Sequence, residues 1–197
     1  FPECENAMAD AFSLGQLKSK MWLIENLPTD LGTVFICAGW YGTLASLMFE
    51  HARDKFNKIR SFDIDENCAP IADTMNRPWV TDGWQFKAST LDILDMKYPT
   101  KHTTFRANGT SLELMEMPDT IINTSCEHIK NFADWYDKIP QGKLVILQSN
   151  NYFEIDDHVN CIKVPIQFAD QTPMTEVLYQ GALELPKYTR FMRIGRK

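Results

Sequence analysis

Apolar residues along the chain follow two periods, one typical of helices and one typical of buried strands. The first helical stretch opens at a Ser13–Gln16 capping box and ends before Pro28. Its apolar residues recur every three or four positions, at Leu14, Leu17, Met21, Ile24 and Leu27. This spacing predicts a helix ahead of the first strand.

Short apolar runs predict the strands. They lie at 33–38, 58–64, 84–89, 119–125 and 143–148, and two longer runs follow at 175–185 and 187–194. Helices are expected from about residue 42, over 67–76 and over 128–138. Asn108 and Gly109 form a strong turn signal, so we expect a hairpin insert within 92–118.

Strands that alternate with helices indicate a mostly parallel α/β sheet with helices on both faces. The two last strands, joined by a tight turn, add an antiparallel hairpin. Ligands of such sheets bind beyond the carboxyl ends of the strands, where the strand order reverses. We therefore expect a single domain over 1–197 with its site among residues 38–43, 63–66, 89–92 and 123–128.

Two features near the first strands are typical of nucleotide-like ligands. Gly39 and Gly42 lie between an apolar strand and a helix, where they permit a tight turn and close approach of a ligand to the backbone. An ordinary strand-to-helix turn has the same composition. Asp63 ends the second strand, about 20 residues further on, where a carboxylate binds ribose hydroxyls. Asp65 is the alternative, although it has a capping role available.

This combination resembles the class I, Rossmann-like S-adenosylmethionine-dependent methyltransferases. The resemblance spans roughly residues 30–197 and implies a seven-stranded sheet that ends in an antiparallel pair. Ile36 or Cys37 stands where the family often has an acidic residue, and Trp40 stands where it has a third glycine. The glycine loop is also similar to that of small phage-encoded methyltransferase-like proteins.

The resemblance implies a cofactor, S-adenosylmethionine, and a set of residues that contact it. The loop contacts the methionine end, Asp63 and Ile64 hold the ribose, the residues after the third strand face the adenine, and the fourth strand borders the methyl group. The full set is Gly39, Trp40, Tyr41, Gly42, Asp63, Ile64, Thr90, Leu91, Asn123 and Ser125. It further implies an N-terminal helical lid over 1–30 on a core of 31–197.

Polar residues after the fourth and fifth strands are candidates for the acceptor side. His128 is a candidate general base, because its ordinary pKa lies near working pH, and Glu127 would orient it or bind a cationic acceptor. A simple role in the first turn of the next helix explains these two residues equally well. Asn150, Asn151 and Tyr152 are candidates to line an acceptor pocket, or form an Asn-rich turn.

The composition limits which kinds of molecule we expect this chain to bind and where we expect it to act. The formal net charge of −6 argues against a nucleic-acid partner, and the basic residues of 187–197 are typical of a solvated strand face. Four histidines without metal-ligand spacing predict no bound metal. No run is long enough for a membrane span, the start of the chain lacks the basic residues of a secretion signal, and five scattered cysteines indicate a reducing compartment, so we expect the cytoplasm.

The leading hypothesis is S-adenosylmethionine-dependent methyl transfer to a small-molecule or protein acceptor. The alternative is a binding or regulatory module that keeps the sheet without catalysis. A nicotinamide-dependent reductase is a third reading, but Gly39 and Gly42 do not complete the fuller glycine motif that it needs. The sequence does not indicate an oligomeric state.

Overall fold

The computed structural model describes residues 2–197, and for residues 2–5 it gives only their place in a helix; Phe1 lies outside the described residues. The helices are α1 (Pro2–Ala11), α2 (Leu14–Glu25), α3 (Thr43–His51), α4 (Cys68–Met75), α5 (Arg77–Thr81), α6 (Phe132–Lys138) and α7 (Pro165–Gln171). The strands are β1 (Thr33–Cys37), β2 (Lys58–Asp63), β3 (Phe86–Thr90), β4 (Thr100–Phe105), β5 (Ser111–Glu116), β6 (Thr120–Asn123), β7 (Leu144–Asn150), β8 (Glu176–Glu184) and β9 (Thr189–Arg196).

Seven strands form one sheet in the order β3-β2-β1-β6-β7-β9-β8. The first five are parallel, whereas β9 runs antiparallel to both β7 and β8. This arrangement confirms the predicted mostly parallel α/β sheet with a C-terminal antiparallel hairpin. The strand order reverses between β1 and β6, so the segments after these two strands lie side by side at the switch point.

Helices cover both faces of the sheet because the central strands are apolar on both sides. Val34 and Ile36 of β1 face the cluster that includes α2 and α3. Phe35 and Cys37 face the opposite cluster, to which α6 contributes Trp135 and α7 contributes Phe168. A third, small cluster joins α1 to the segment after β1, through Ala11 and Tyr41.

The predicted hairpin insert is the pair β4–β5, which is antiparallel and forms a separate two-stranded sheet. Its turn places Gly109 at φ +81°, a conformation that favours glycine. Glu116 anchors the hairpin to the main sheet: its Oε1 lies 2.7 Å from Arg60 Nε of β2 and 3.0 Å from His102 Nε2 of β4, and its Oε2 lies 2.8 Å from Lys58 Nζ.

Several boundaries differ from the predictions. The strand predicted over 84–89 is observed at Phe86–Thr90, because Trp84 adopts φ +53° and cannot continue a strand. The helix predicted over 128–138 begins only at Phe132, because residues 126–128 form a short 3₁₀ turn. The helix predicted over 67–76 is followed by α5, and α1, α5 and α7 were not predicted. In the part of the chain that the structure describes, no helix is both long enough and apolar enough to cross a membrane.

Candidate functional site

The loop after β1 has an unusual backbone that glycine makes possible. Ala38 and Trp40 have φ of +54° and +51°, and Gly42 has φ +78° at the N-cap of α3. A Cβ on Gly39 would lie 2.0 Å from Ser61 Oγ, so a larger residue there would require the Ser61 side chain to move. The rings of Trp40 and Tyr41 stack on each other with centroids 5.2 Å apart. The loop predicted from the two glycines is therefore a tight, closely packed turn.

Asp63 lies against this loop, at the carboxyl end of β2. Its Oδ2 accepts a hydrogen bond from the backbone N–H of Trp40 at 2.9 Å, and its Oδ1 accepts one from the N–H of Asp65 at 3.1 Å. Asp65 instead serves a local turn, in which its Oδ1 accepts from the backbone and the side chain of Asn67, both at 2.9 Å. The ribose role of Asp63 stays a prediction, and Asp65 does not cap α4, whose N-cap is Asn67.

The remaining residues predicted to face a cofactor lie close to Asp63. Thr90 is its partner in the β2–β3 register, and the N–H of Leu91 donates to the carbonyl of Asp63 at 2.9 Å. Ile64 is 69% exposed, which is unusual for an apolar side chain and leaves its surface available to a ligand. Ile64, Thr90 and Leu91 therefore border one side of the loop.

Two buried polar atoms at the switch point lack partners among the described residues. They are Oγ1 of Thr43, in the first turn of α3, and Nδ2 of Asn123, at the end of β6. A buried polar group without a hydrogen bond costs about 1–3 kcal/mol, so such atoms are uncommon unless a ligand or water satisfies them. With the carboxylate of Asp63, they fit a polar cofactor that lies across the ends of β1 and β6.

The segment after β6 turns sharply instead of entering a helix. Asn123 Oδ1 accepts from the N–H of Ser125 at 2.8 Å, and this hydrogen bond shapes the turn. Cys126 is fully buried, and burial raises the pKa of its thiol well above the ordinary value. Both the burial and the raised pKa disfavour the thiolate, which is the reactive form of cysteine.

Glu127 is a buried carboxylate with incomplete pairing. It is 2% exposed, its Oε1 accepts from Asn150 Nδ2 at 2.8 Å, and Arg190 Nη2 lies 3.6 Å from the same oxygen. Its Oε2 accepts no hydrogen bond from the residues that the structure describes. Lys20 of α2 also faces this carboxylate: burial, followed by the charge of Arg190, lowers the pKa of Lys20 to about 7, and Glu127 opposes that shift.

His128 lies at the surface beside Glu127. Its side chain is 42% exposed, and its Nε2 is 3.9 Å from Glu127 Oε1. The ring packs edge-on against His158, with centroids 4.6 Å apart. Burial lowers the pKa of His128 below its ordinary value of 6.5, and the charge of Glu127 opposes this only in part. The imidazole is therefore neutral near pH 7, and it does not point into a packed core.

The residues after β7 have structural roles in addition to any ligand contact. Asn150 is buried beneath Glu127, and Asn151 Oδ1 accepts from the backbone N–H of Thr189 at 2.8 Å. Tyr152 stacks on Tyr188 with centroids 5.1 Å apart. Asn150 thus lies beside Glu127, whereas Asn151 and Tyr152 link the end of β7 to the β8–β9 hairpin.

The sequence did not predict the burial of Arg190 or the contact between His158 and His128. The basic C-terminal run was expected to be a solvated strand face, but Arg190 and Arg193 are only 3% and 5% exposed. That expectation was wrong because β9 lies inside the sheet between β7 and β8, not at its edge. His158 comes from an irregular loop, and only its position in three dimensions joins it to His128.

A cleft of about 1650 Å³ does not coincide with this site. It opens on the outer side of β3 and is lined by residues of α4, α5 and the β4–β5 hairpin, with Thr90 at its inner end. Buried atoms without partners in Thr43, Asn123 and Glu127 favour the glycine loop and the surroundings of Glu127 as the site, whereas no residue with such an atom, among those described, lines the open cleft.

The fold is that of the Rossmann-like methyltransferases. The chain is similar to the N-methyltransferase NodS from Bradyrhizobium japonicum, with a TM-score of 0.64 and 9% identity over 95% of this chain and 98% of that one. NodS has also been solved in complex with S-adenosyl-L-homocysteine. The magnesium protoporphyrin IX methyltransferase from Synechocystis, solved with bound S-adenosylmethionine, is similar with a TM-score of 0.56 and 16% identity, over 91% of this chain and 77% of that one.

A third similar structure is phosphoethanolamine N-methyltransferase 2 from Haemonchus contortus in complex with S-adenosyl-L-methionine. It has a TM-score of 0.59 and 10% identity over 93% of this chain and 53% of that one. No family model matches the sequence, and no curated protein matches it. The structural likenesses confirm the predicted fold, and they give no support to the narrower resemblance to phage-encoded proteins.

Proposed function

We propose that this chain is an S-adenosylmethionine-dependent methyltransferase that acts on a small-molecule or protein acceptor. The observation that carries the proposal is the contact between the glycine loop and the end of β2, in which Trp40 N–H donates to Asp63 at the switch point of the sheet. Proteins with the same fold have been crystallised with S-adenosylmethionine or S-adenosyl-L-homocysteine, which supports this choice of cofactor.

The predicted cofactor-binding residues lie in four segments, each of which would contact a different part of the cofactor. Gly39 to Gly42 would hold the methionine end, Asp63 and Ile64 the ribose, and Thr90 and Leu91 the adenine. Asn123 and Ser125 would border the methyl group, from the neighbouring strand β6. When bound, S-adenosylmethionine supplies a methyl group already activated on a positively charged sulfur.

The N-terminal residues 1–30 are proposed to cover this site as part of a single domain over 1–197. Ala11 of α1 packs in one cluster with Tyr41 of the glycine loop. In α2, Ser19 accepts from Gln148 Nε2 of β7 through its carbonyl, at 3.0 Å. The two helices thus tie the loop and the acceptor-side strand together, which would exclude water from between them.

His128 and Glu127 are the proposed catalytic residues. The neutral imidazole of His128 has a lone pair that can take a proton from an O–H or N–H acceptor, and its exposed side chain gives the acceptor access. Glu127 would fix the position of the imidazole or of a cationic acceptor group. Asn150, Asn151 and Tyr152 would complete the acceptor side.

The acceptor is proposed to be a small molecule or a protein, since the net charge of −6 does not favour a nucleic acid. The methyltransferases of similar fold act, by their names, on different acceptors. We place the activity in the cytoplasm, where thiols such as the buried Cys37 stay reduced.

A binding or regulatory module is the second candidate. It is favoured by Asp63, because both of its carboxylate oxygens already accept hydrogen bonds from the loop and from Asp65. In that case the site would bind the cofactor weakly, or bind it without turnover.

Calorimetric titration with S-adenosylmethionine, S-adenosyl-L-homocysteine and NADH tests the proposal. We expect binding of at least one of the first two in the micromolar range or tighter, and none of NADH. Absence of both heat release and thermal shift at millimolar S-adenosylmethionine would overturn it. Binding without methyl transfer to any acceptor of a small-molecule and peptide panel would favour the second candidate.

A further inference from the structure

We propose that Glu127, His128 and His158 form a binding site for a divalent transition-metal ion on the acceptor side of the proposed methyltransferase site. Each residue offers one ligand atom, and these atoms lie within 4.8 Å of one another. Ligands bound about 2.1 Å from one ion are at most about 4.2 Å apart, so small side-chain movements would close the site. The inference rests on the proposed function only for the role of the ion, not for its binding.

The carboxylate of Glu127 has the properties expected of a metal ligand. Its side chain is 3% exposed, and Oε2 has no partner among the described residues although it is buried. Oε1 is fixed by Asn150 Nδ2 at 2.8 Å, so the carboxylate cannot easily rotate away. A hydrogen bond from a neighbouring side chain is the usual support of a carboxylate that binds a metal.

The backbone orients His158, and His128 faces Glu127. His158 Nδ1 lies 2.7 Å from the carbonyl oxygen of Tyr152 and must therefore carry the hydrogen, which leaves the lone pair on Nε2. Metal-binding histidines almost always donate their other ring N–H in this way. His128 Nε2 lies 3.9 Å from Glu127 Oε1.

The fold joins residues that are 30 positions apart. Glu127 and His128 follow β6, whereas His158 belongs to the loop after β7. Asn160 pins this loop to the turn: its N–H donates to the carbonyl of Glu127 at 2.8 Å and its Nδ2 to the carbonyl of Cys126 at 3.1 Å. The expectation of no metal relied on short sequence spacing, which cannot detect such a site.

The donor set indicates the kind of ion. Two imidazoles and one carboxylate suit Zn²⁺, Co²⁺, Mn²⁺ or Fe²⁺, whereas Mg²⁺ and Ca²⁺ prefer oxygen ligands. The positive charges of Arg190, which lies 3.6 Å from Glu127, and of Lys20 oppose the binding of a cation. A site held by negative charge alone would therefore be weak here. We therefore expect selectivity for Zn²⁺ and Co²⁺ over Mg²⁺.

Three protein ligands leave at least one position open, as in catalytic zinc sites. A hydroxyl of the methyl acceptor could occupy it, and coordination would lower the pKa of that hydroxyl so that its proton passes to solvent. The lone pair of His128 would then hold the ion instead of acting directly as a base. The substrate class would accordingly be acceptors with a metal-binding hydroxyl.

Cobalt binding to the whole chain tests the site without any cofactor. Chelator-treated protein is titrated with Co²⁺ while its visible absorption is recorded, and then with Zn²⁺. We expect d–d bands that saturate at micromolar Co²⁺ and disappear when Zn²⁺ is added, with no competition from millimolar Mg²⁺. His158→Gln and Glu127→Gln should each weaken Co²⁺ binding by tenfold or more.

His51→Gln is the matched control, since His51 is an exposed histidine of α3 that lies outside the site, and it should bind Co²⁺ as the unmodified chain does. Circular dichroism checks that each variant is folded. The proposal is overturned if the unmodified chain binds Co²⁺ no more tightly than about millimolar, or if the folded His158→Gln variant binds as tightly. Failure of S-adenosylmethionine binding in calorimetry would instead contradict the proposed function and leave the cobalt result intact.

Discussion

The carboxylate of Asp63 has two roles, one in the structure of the loop and one proposed in ligand binding. It accepts from Trp40 N–H and so holds the glycine loop in shape, and each oxygen keeps a further lone pair for a ligand. The carboxylate of Asp65, only two positions away, accepts hydrogen bonds from Asn67. Asp63 therefore supports the loop and is proposed to face the ligand, whereas Asp65 has only a local role.

We predict that Asp63→Ala weakens S-adenosylmethionine binding much more than Asp65→Ala does. Loss of a charged acceptor costs about 1.5–3 kcal/mol, which is tenfold or more in affinity. Calorimetric titration of both variants measures the difference. Equal losses, or a greater loss in Asp65→Ala, would show that Asp63 does not face the ribose.

A substitution of the single residue His128 tests its proposed catalytic role. If it acts at the acceptor, His128→Asn should lower turnover by about 10²-fold or more while the affinity for S-adenosylmethionine stays nearly unchanged. Stability should change little because the side chain is 42% exposed. His51→Asn is the control, and unaltered turnover in His128→Asn would exclude a catalytic role.

Single residues also show where sequence reasoning stops. The glycine loop and Asp63 were predictable because strand, loop and helix follow one another along the chain. The burial of Arg190 and the approach of His158 to His128 were not, because they depend on which strands are neighbours. The chemistry of the acceptor side is thus set by contacts that no local pattern encodes.

At the level of elements, buried strands were predicted better than short helices. Continuous apolar runs bounded by polar turns indicate strands of a parallel sheet. Helices α5 and α7 have only five and seven residues, too few for a helical period to be recognised. The helix expected from His128 starts four residues later because Asn123 bends the chain into a turn first.

The β4–β5 hairpin depends on Glu116 for its attachment to the main sheet. We predict that Glu116→Gln lowers the free energy of unfolding by about 3 kcal/mol at pH 7, because it leaves Arg60 and Lys58 without their buried counter-ion. Glu113→Gln is a control on the same strand: its partner Lys101 is 61% exposed and the pair is worth at most about 1 kcal/mol. Urea unfolding measures both variants, and equal losses would contradict the anchoring role.

The effect of Glu116 should also depend on pH. Burial raises the pKa of Glu116, but hydrogen bonds from His102 and Lys58 and the charge of Arg60 outweigh it and hold that pKa well below the ordinary value of 4.5. A carboxylate with a depressed folded-state pKa stabilises the protein fully above its unfolded pKa. The difference between the unmodified chain and Glu116→Gln should therefore be constant above about pH 5 and shrink as the pH falls below 4.5. A difference that grows on acidification would refute this assignment.

For the whole molecule, the strand order decides where chemistry is possible. The sheet brings the ends of β1, β2 and β6 together, and its antiparallel hairpin adds Arg190 beside Glu127. The first part of this arrangement follows from alternating strands and helices, so the sequence could predict which segments meet at this edge of the sheet. The second depends on β9 inserting between β7 and β8, so the acceptor side needed the structure.

The N-terminal helices extend the site beyond the sheet, and this leads to the last prediction. Ala11 is fully buried in a cluster with Tyr41, so α1 contacts the loop proposed to hold the methionine end of the cofactor. A ligand that orders this loop should also stabilise α1, because the two share one apolar cluster. We expect S-adenosyl-L-homocysteine to slow amide hydrogen exchange in residues 6–11 and 38–43, measured by mass spectrometry.

The edge strand β8 is the internal reference for that experiment, since it is the strand farthest from β1 in the sheet order and should exchange at the same rate with and without ligand. Slower exchange in the loop alone would mean that α1 packs on the site without responding to it, and the proposed lid would be wrong. Slower exchange in both segments, lost in Tyr41→Ala, would identify the Ala11–Tyr41 contact as the link between cofactor and lid. Tyr41→Phe keeps the ring in the cluster and should preserve the coupled response.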